Sequence, residues 1–212
     1  GMRLRAEPGA SLRADFTAQE GFELPGDIVT PWRVTIIARH LDALVNTDLI
    51  TSLNPAPDPE LFADTSWIVP GRSLWSWWSG IDGGFMTLEG EKRVIDTAAS
   101  LGIEYSPVDD GWEELPDKWK FLHELAGDAQ SRGVGLFVWR HWEKLNDPAD
   151  DYRQRLSCVD SVGAVGIKGV KVDFMNGEGI RQIDFNTHLL KNAARRRLLV
   201  NPHGCQKPTG EI

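Results

Sequence analysis

The sequence predicts an α/β protein, read as an incomplete (β/α)8 TIM-type barrel of about five βα units preceded by the tail of a β-sandwich domain. Three observations lead there. From about residue 65 onward, short apolar runs alternate with segments of helical period, the rhythm of βα units. The runs are apolar throughout rather than alternating, as parallel strands covered on both faces are. Polar or aromatic side chains then follow nearly every run: Ser76, Asp109 and Asp110, Arg140 and His141, Asp173, Asn201 and His203. A doubly wound sheet concentrates its site at one switch point, whereas a barrel gathers all its strand ends around one mouth, so the barrel is preferred. No GxGxxG or Walker loop opens a helix, which weakens a nucleotide-binding reading further.

The elements follow in order. Residues 1–64 read as β segments and turns, with strands at Leu12 to Phe16 and at Trp32 to Ala38. Pro55, Pro57 and Pro59 break regular structure and mark a linker. Residues 65–212 carry the barrel units: a strand at Leu74 to Trp78, a helix at Glu91 to Ser100 closed by Gly102, and a strand at Ile103 to Val108. A helix at Trp119 to Arg132, closed by Gly133, precedes the strand Val134 to Trp139. A helix at Asp150 to Val165, the strand Val170 to Phe174, a helix at Ile183 to Arg196 and the strand Leu198 to Asn201 complete the series. Eight strands close such a barrel, so three βα units are expected beyond Ile212, and the open edges invite self-association.

Composition narrows the function. Apolar residues make up 41% and charged residues 25% of the 212, as in ordinary globular proteins. A formal net charge of −8 argues against a nucleic-acid or anionic-membrane surface. No apolar run approaches the ~20 residues of a membrane span, and Gly1 before Met2 reads as an expression remnant. Cys158 and Cys205 suggest two unpaired thiols rather than a disulfide framework or zinc site. Nine tryptophans are unusual, several of them in Trp75, Trp77, Trp78, Trp139 and Trp142. An indole at a strand end either packs a core or stacks on the C–H face of a sugar.

The chemistry lies at the strand ends. Strand alternation puts Lys171 and Asp173 on one face, where the ammonium favours the ionised carboxylate that a nucleophile requires; a structural salt bridge is the alternative. Asp109 and Asp110, side by side after a strand, suit bidentate acceptance from sugar hydroxyls, although one of them could serve as an N-cap. His203 and Lys207 in the Pro- and Gly-punctuated loop, and His141 after Trp139, are read as binding residues, since a lone loop histidine is more often structural than a base.

Pro70 to Trp78, Val108 to Trp112, Gly169 to Phe174, and Asn201 to Gly204 with Lys207 to Gly210 resemble, in order and spacing, motifs of glycoside hydrolase family 97; Thr30 to Arg33 resembles the end of that family's N-terminal β-sandwich. The resemblance implies a glycosidase. Inverting members carry glutamates where this sequence has His141 and Gly204, and retaining members carry an aspartate nucleophile where Asp173 stands. It therefore implies a retaining enzyme with Asp173 catalytic. The Asp109-Asp110-Gly111-Trp112 and Lys171-Val172-Asp173 runs are separately similar to motifs of other α-galactosidase families, where the acids and lysine hold sugar hydroxyls. Asp109, Asp110 and Lys171, with Trp75, Trp139, His141, His203 and Lys207, are therefore expected to bind a terminal α-linked galactose or glucose. The family resemblance also implies calcium, with ligands outside this chain, an acid/base glutamate past Gly210, and a periplasmic or secreted location. No metal ligand is assigned here, and Glu178 is not taken as the second carboxyl. The competing expectations are a sugar-binding fragment that lacks its general acid, and an unrelated hydrolase with a metal at Asp109 and Asp110.

Overall fold

In the computed structural model, residues 2–9, 11–16, 25–27, 34–79, 86–177 and 179–205 are described. The chain opens with an antiparallel hairpin of β1 (Met2–Glu7) and β2 (Ser11–Phe16). The expected strand at Leu12 to Phe16 is thus present, while its partner β1 was not anticipated. The strand expected over Trp32 to Ala38 does not form across residues 34–38, and Trp32 and Arg33 lie outside the described residues. Its apolar alternation finds no ladder there, and Ile37 is 92% exposed. Three short helices follow: α1 (Leu41–Val45), α2 (Leu49–Ser52) and α3 (Pro59–Phe62). The last is capped by Asp58, whose side chain accepts from the Glu60 N–H, with Pro59 at the first helical position.

The remainder is built around a four-stranded parallel sheet in the order β3 (Tyr105–Val108), β4 (Gly135–His141), β5 (Gly169–Asp173) and β6 (Leu199–Pro202). The helices between and beside these strands are α4 (Leu88–Ser100), α5 (Lys118–Ser131), α6 (Arg153–Ala164) and α7 (Ile180–Ala194). The Thr87 hydroxyl caps α4 by accepting from the Gly90 N–H at 3.1 Å. Gly102 and Gly133 follow α4 and α5 at φ 65° and 73°, the left-handed turn that releases the chain into the next strand.

The strand expected at Leu74 to Trp78 is a correction. Only Ser73 makes a parallel bridge, to Tyr105, with the Leu74 N–H donating to the Tyr105 carbonyl at 2.9 Å; Ser76–Ser79 then curl into a 3-10 turn. That segment occupies the first-strand position beside β3 without continuing the ladder.

Register divides the sheet into two faces. Trp139 lies opposite Lys171, His141 opposite Asp173, and Lys171 opposite Asn201. Leu136, Val138, Val170 and Val172 alternate with these and join Leu122, Leu125, Val162, Phe185 and Leu189 of the helices in one core. Each such side chain contributes on the order of 1.5–3 kcal/mol when fully buried. The opposite face carries Tyr105, Phe137 and Trp139 and then the charged groups, an arrangement consistent with the interior of an incomplete barrel.

Candidate active site

Strand direction sets the site. All four parallel strands end on the same side, and alternation brings Asp109, Trp139, Lys171 and Asp173 onto one face there. Asp109, Lys171 and Asp173 are 6%, 3% and 5% exposed, so three charged groups are withdrawn from water together. Such burial is tolerable only where partners replace the solvent. Lys171 Nζ donates to Asp109 Oδ2 at 2.7 Å and stands 4.0 Å from Asp173 Oδ2. The Trp75 indole N–H also donates to Asp109 Oδ2, and Asp109 Oδ1 accepts from the Asp110 N–H at 2.9 Å. Lys171 Nζ lies 3.9 Å from the centre of the Trp75 ring, a cation–π contact that occupies one face of that indole.

Asp173 is held by a separate set of donors. Its Oδ1 accepts from the Phe174 N–H at 2.7 Å; its Oδ2 accepts from the Trp139 indole N–H at 3.2 Å and lies 2.8 Å from His203 Nδ1. Burial opposes ionisation, but the Phe174, Trp139 and His203 contacts together outweigh it and hold the Asp173 carboxyl below its usual range. The carboxylate is therefore ionised at neutral pH. Three left-handed residues frame it, Phe174 (φ 65°), Asn176 (φ 44°) and Gly204 (φ 59°), and the Asn176 N–H donates to the Gly204 carbonyl at 2.7 Å. A Cβ at Gly204 would fall 2.8 Å from Asp173 Oδ1, so glycine there keeps that oxygen uncrowded.

The expected residues divide clearly. Asp173, Asp109, Lys171, Trp75, Trp139 and His203 come together. Trp139 is 6% exposed and spends its N–H on Asp173, a holding contact rather than an open platform. His203 also sets its ring edge-on to Trp75, 5.7 Å between centres. His141 stands opposite Asp173 and stacks, tilted by 31°, against Phe174 at 5.5 Å; its Nδ1 accepts from the Glu143 N–H at 3.3 Å. Asp110 is exposed beside Asp109. Lys207 and Glu178 lie outside the described residues.

Two residues at this rim escaped the sequence reading. Phe174, 50% exposed, packs edge-on to Trp139 and against His141, presenting an apolar surface next to Asp173. Its place immediately after Asp173 was the available signal. Glu91, 1% exposed in α4, lies within reach of the Asp109 charge, and nothing local distinguishes it from an ordinary first-turn glutamate. As for a metal, no group of three or more His, Cys, Asp or Glu side chains among the described residues could hold one. The calcium implied by the resemblance thus finds no ligand set in them.

Comparison with known proteins points one way. The model described as Glycoside hydrolase 97 matches residues 73–212, and that described as Glycosyl-hydrolase 97 N-terminal matches residues 1–56. A Streptomyces bingchenggensis protein named "Probable retaining alpha-galactosidase" is 35% identical over 195 residues, covering 87% of this chain and 29% of its own length. The "Retaining alpha-galactosidase" of Bacteroides thetaiotaomicron is 31% identical over 195 residues, covering 85% of this chain and 28% of its own. A crystal structure described as a beta-arabinopyranosidase superposes with a TM-score of 0.58 at 27% identity, covering 66% of this chain and 23% of that one. The chain thus spans less than a third of each of these proteins.

Proposed function

Since this chain belongs to glycoside hydrolase family 97, we propose that it supplies the nucleophile side of a retaining α-glycosidase site, with Asp173 attacking the anomeric carbon of a terminal galacto-configured sugar. The observation that carries this reading is the Asp173 carboxylate itself. It sits at the end of a parallel strand, is kept ionised by three donors, and has an oxygen left uncrowded by Gly204. Asp173 Oδ1 forms a bond to C1 as the glycosidic C1–O bond breaks, and the departing oxygen takes a proton from a second carboxyl. Water then attacks C1 from the face the leaving group vacated, giving its proton to that carboxyl while the C1–Oδ1 bond breaks, so configuration is retained. The second carboxyl belongs roughly 5 to 5.5 Å from the first and is assigned to the part of the longer protein beyond Gly210.

Asp109 and Lys171 bind ring hydroxyls, each of their charge-assisted hydrogen bonds contributing on the order of 1.5–3 kcal/mol. The substrate class draws on the names of the relatives. An α-D-galactopyranoside and a β-L-arabinopyranoside share ring configuration and differ in the hydroxymethyl group on C5, so both names describe one ring shape with an axial O4. The favoured substrate is therefore galactose rather than glucose.

The test uses the full-length protein with an aryl α-galactoside. Asp173→Ala should lower turnover by at least ~10³-fold, and azide should restore it while producing the β-galactosyl azide. Turnover within tenfold of wild type, or no azide product, would reject Asp173 as nucleophile. Equal rates on the matching α-glucoside would reject the substrate class.

A further inference from the structure

Glu91 occupies the first turn of α4 and is 1% exposed. Among the described residues its carboxyl has no ion-pair partner and no hydrogen-bond donor, and the charge that acts on it is Asp109, of the same sign. Lys171, the cation of the cluster, is engaged by Asp109 at 2.7 Å and by Asp173 at 4.0 Å. From the neighbouring α5, Glu124 and Asp128 pair with Lys92 and Arg132 and leave Glu91 alone. A carboxylate withdrawn from water without a cation is too costly to persist, so the group keeps its proton. The α4 N-terminus favours the ionised form, but burial and the Asp109 charge prevail and push Glu91 up to about 8.

We propose that Glu91 is a positioning residue for sugar recognition, a buried carboxylic acid within reach of the Asp109 charge that, kept neutral, leaves Lys171 to its two carboxylates and keeps the Asp109–Lys171 pair set for the ring hydroxyls. The proposal rests on the binding role given above to Asp109 and Lys171. Ionisation of Glu91 places a third negative charge at a cluster with one ammonium and draws Lys171 away from its place.

Two measurements test this. In the first, carbon-13 NMR follows the Glu carboxyls of this chain with pH, the Glu91 signal being the one lost in Glu91→Gln. It should titrate near the value above, and Asp109→Asn should move its midpoint to lower pH by removing the like charge. Titration in the ordinary glutamate range, or no response to Asp109→Asn, would overturn the proposal. In the second, full-length protein is assayed with an aryl α-galactoside. Wild-type KM should rise about tenfold between pH 7 and pH 9 with a smaller change in kcat. Glu91→Ala should raise KM throughout, and Glu91→Gln should restore the neutral-pH value and remove the alkaline rise. An alkaline rise that persists in Glu91→Gln would overturn the positioning role even if the NMR coupling holds. Absence of hydrolysis by the wild type would instead overturn the function on which that role rests, while the Glu91–Asp109 coupling is decided by NMR alone.

Discussion

The two ends of the parallel sheet solve different problems with the same strands. At the C-terminal ends, Asp109, Lys171 and Asp173 bury three charges around contacts of 2.7 and 4.0 Å. At the N-terminal ends there are no such charges among the first residues of the strands, only tight packing: Tyr105 and Phe137 meet edge-on at 5.3 Å, and Gly135 and Gly169 begin β4 and β5 against them. A Cβ at Gly135 would fall 2.7 Å from the Tyr105 ring, and one at Gly169 would fall against the Phe137 ring and 2.7 Å from the Leu199 carbonyl oxygen. One end is expensive to bury and available for chemistry; the other is filled and serves the fold. In βα architectures the loops follow the C-terminal ends, so polar groups there can meet a ligand while the opposite end has only itself to pack.

The largest effect that could break this contrast is expected at Lys171. Lys171→Met removes the ammonium and leaves Asp109 and Asp173 buried without it, so it should cost about 3–5 kcal/mol in denaturant unfolding and abolish sugar binding. Loss of sugar binding with unchanged stability would mean that the cluster is less buried than its 3–6% exposures indicate. Lys171→Arg should recover little, since the forked guanidinium does not fit the space between Trp75 and Asp109 as a compact ammonium does.

A paired substitution sharpens the contrast further. Gly169→Ala at the packed end should destabilise by about 1–3 kcal/mol through overpacking, lowering Tm by several degrees, with KM and kcat of the full-length protein nearly unchanged. Gly204→Ala, at φ 59° and against Asp173 Oδ1, should lower kcat at least tenfold for a comparable stability cost. If both substitutions cost only stability, the two ends would not differ in role.

Much of this was legible because period and punctuation carry it. The helices from Leu88 onward, their Gly102 and Gly133 stops, and the strands at Tyr105–Val108, Gly135–His141, Gly169–Asp173 and Leu199–Pro202 follow from apolar spacing and turn residues, with ends displaced by a few residues. The hairpin partner Met2–Glu7 could have been found from the Pro8-Gly9 turn beside an alternating run. Leu74 to Trp78 could not. Its apolar content suits a strand, but the chain curls at Ser76–Ser79 near the point where the Trp75 indole reaches Asp109, a contact 34 residues away in sequence. Glu91 was hidden for the same reason: a first-turn glutamate is ordinary, and only tertiary packing shows that this one has lost its water. Lys171 and Asp173 were readable as neighbours on a strand face, whereas Trp139 as a donor to Asp173 required the register of two strands.

A smaller effect separates Asp173 from Glu91 by sign. Asp173 is held below its ordinary range, so the stability its ionised form contributes is present above that range and is lost as pH falls through the lower folded value. Asp173→Asn should therefore flatten the acid limb of the stability profile. Glu91 runs oppositely: its neutral form contributes stability fully present below the unfolded value of about 4.5 and lost progressively as pH rises toward about 8. Glu91→Gln should accordingly be the more stable protein above neutrality, measured by urea midpoints across the pH range. An acid limb unchanged in Asp173→Asn would mean that the donors around Asp173 do not favour its charge.

The smallest effect is expected where charge is abundant but water remains. Arg196 pairs with Asp160 at 2.7 Å between α7's end and α6, a distance equal to that of Lys171 and Asp109. The Arg196 and Asp160 side chains are 52% and 55% exposed, however, so solvent and salt screen the pair and side-chain entropy offsets what remains. Arg196→Ala should change stability by no more than about 1 kcal/mol, and 0.5 M salt should erase most of that. The same salt should leave the cost of Lys171→Met nearly intact, because ions do not enter the buried cluster. Equal salt sensitivity at the two sites would show that distance rather than burial governs these pairs, and would remove the physical basis for setting the charged end of the sheet apart from the rest of the surface.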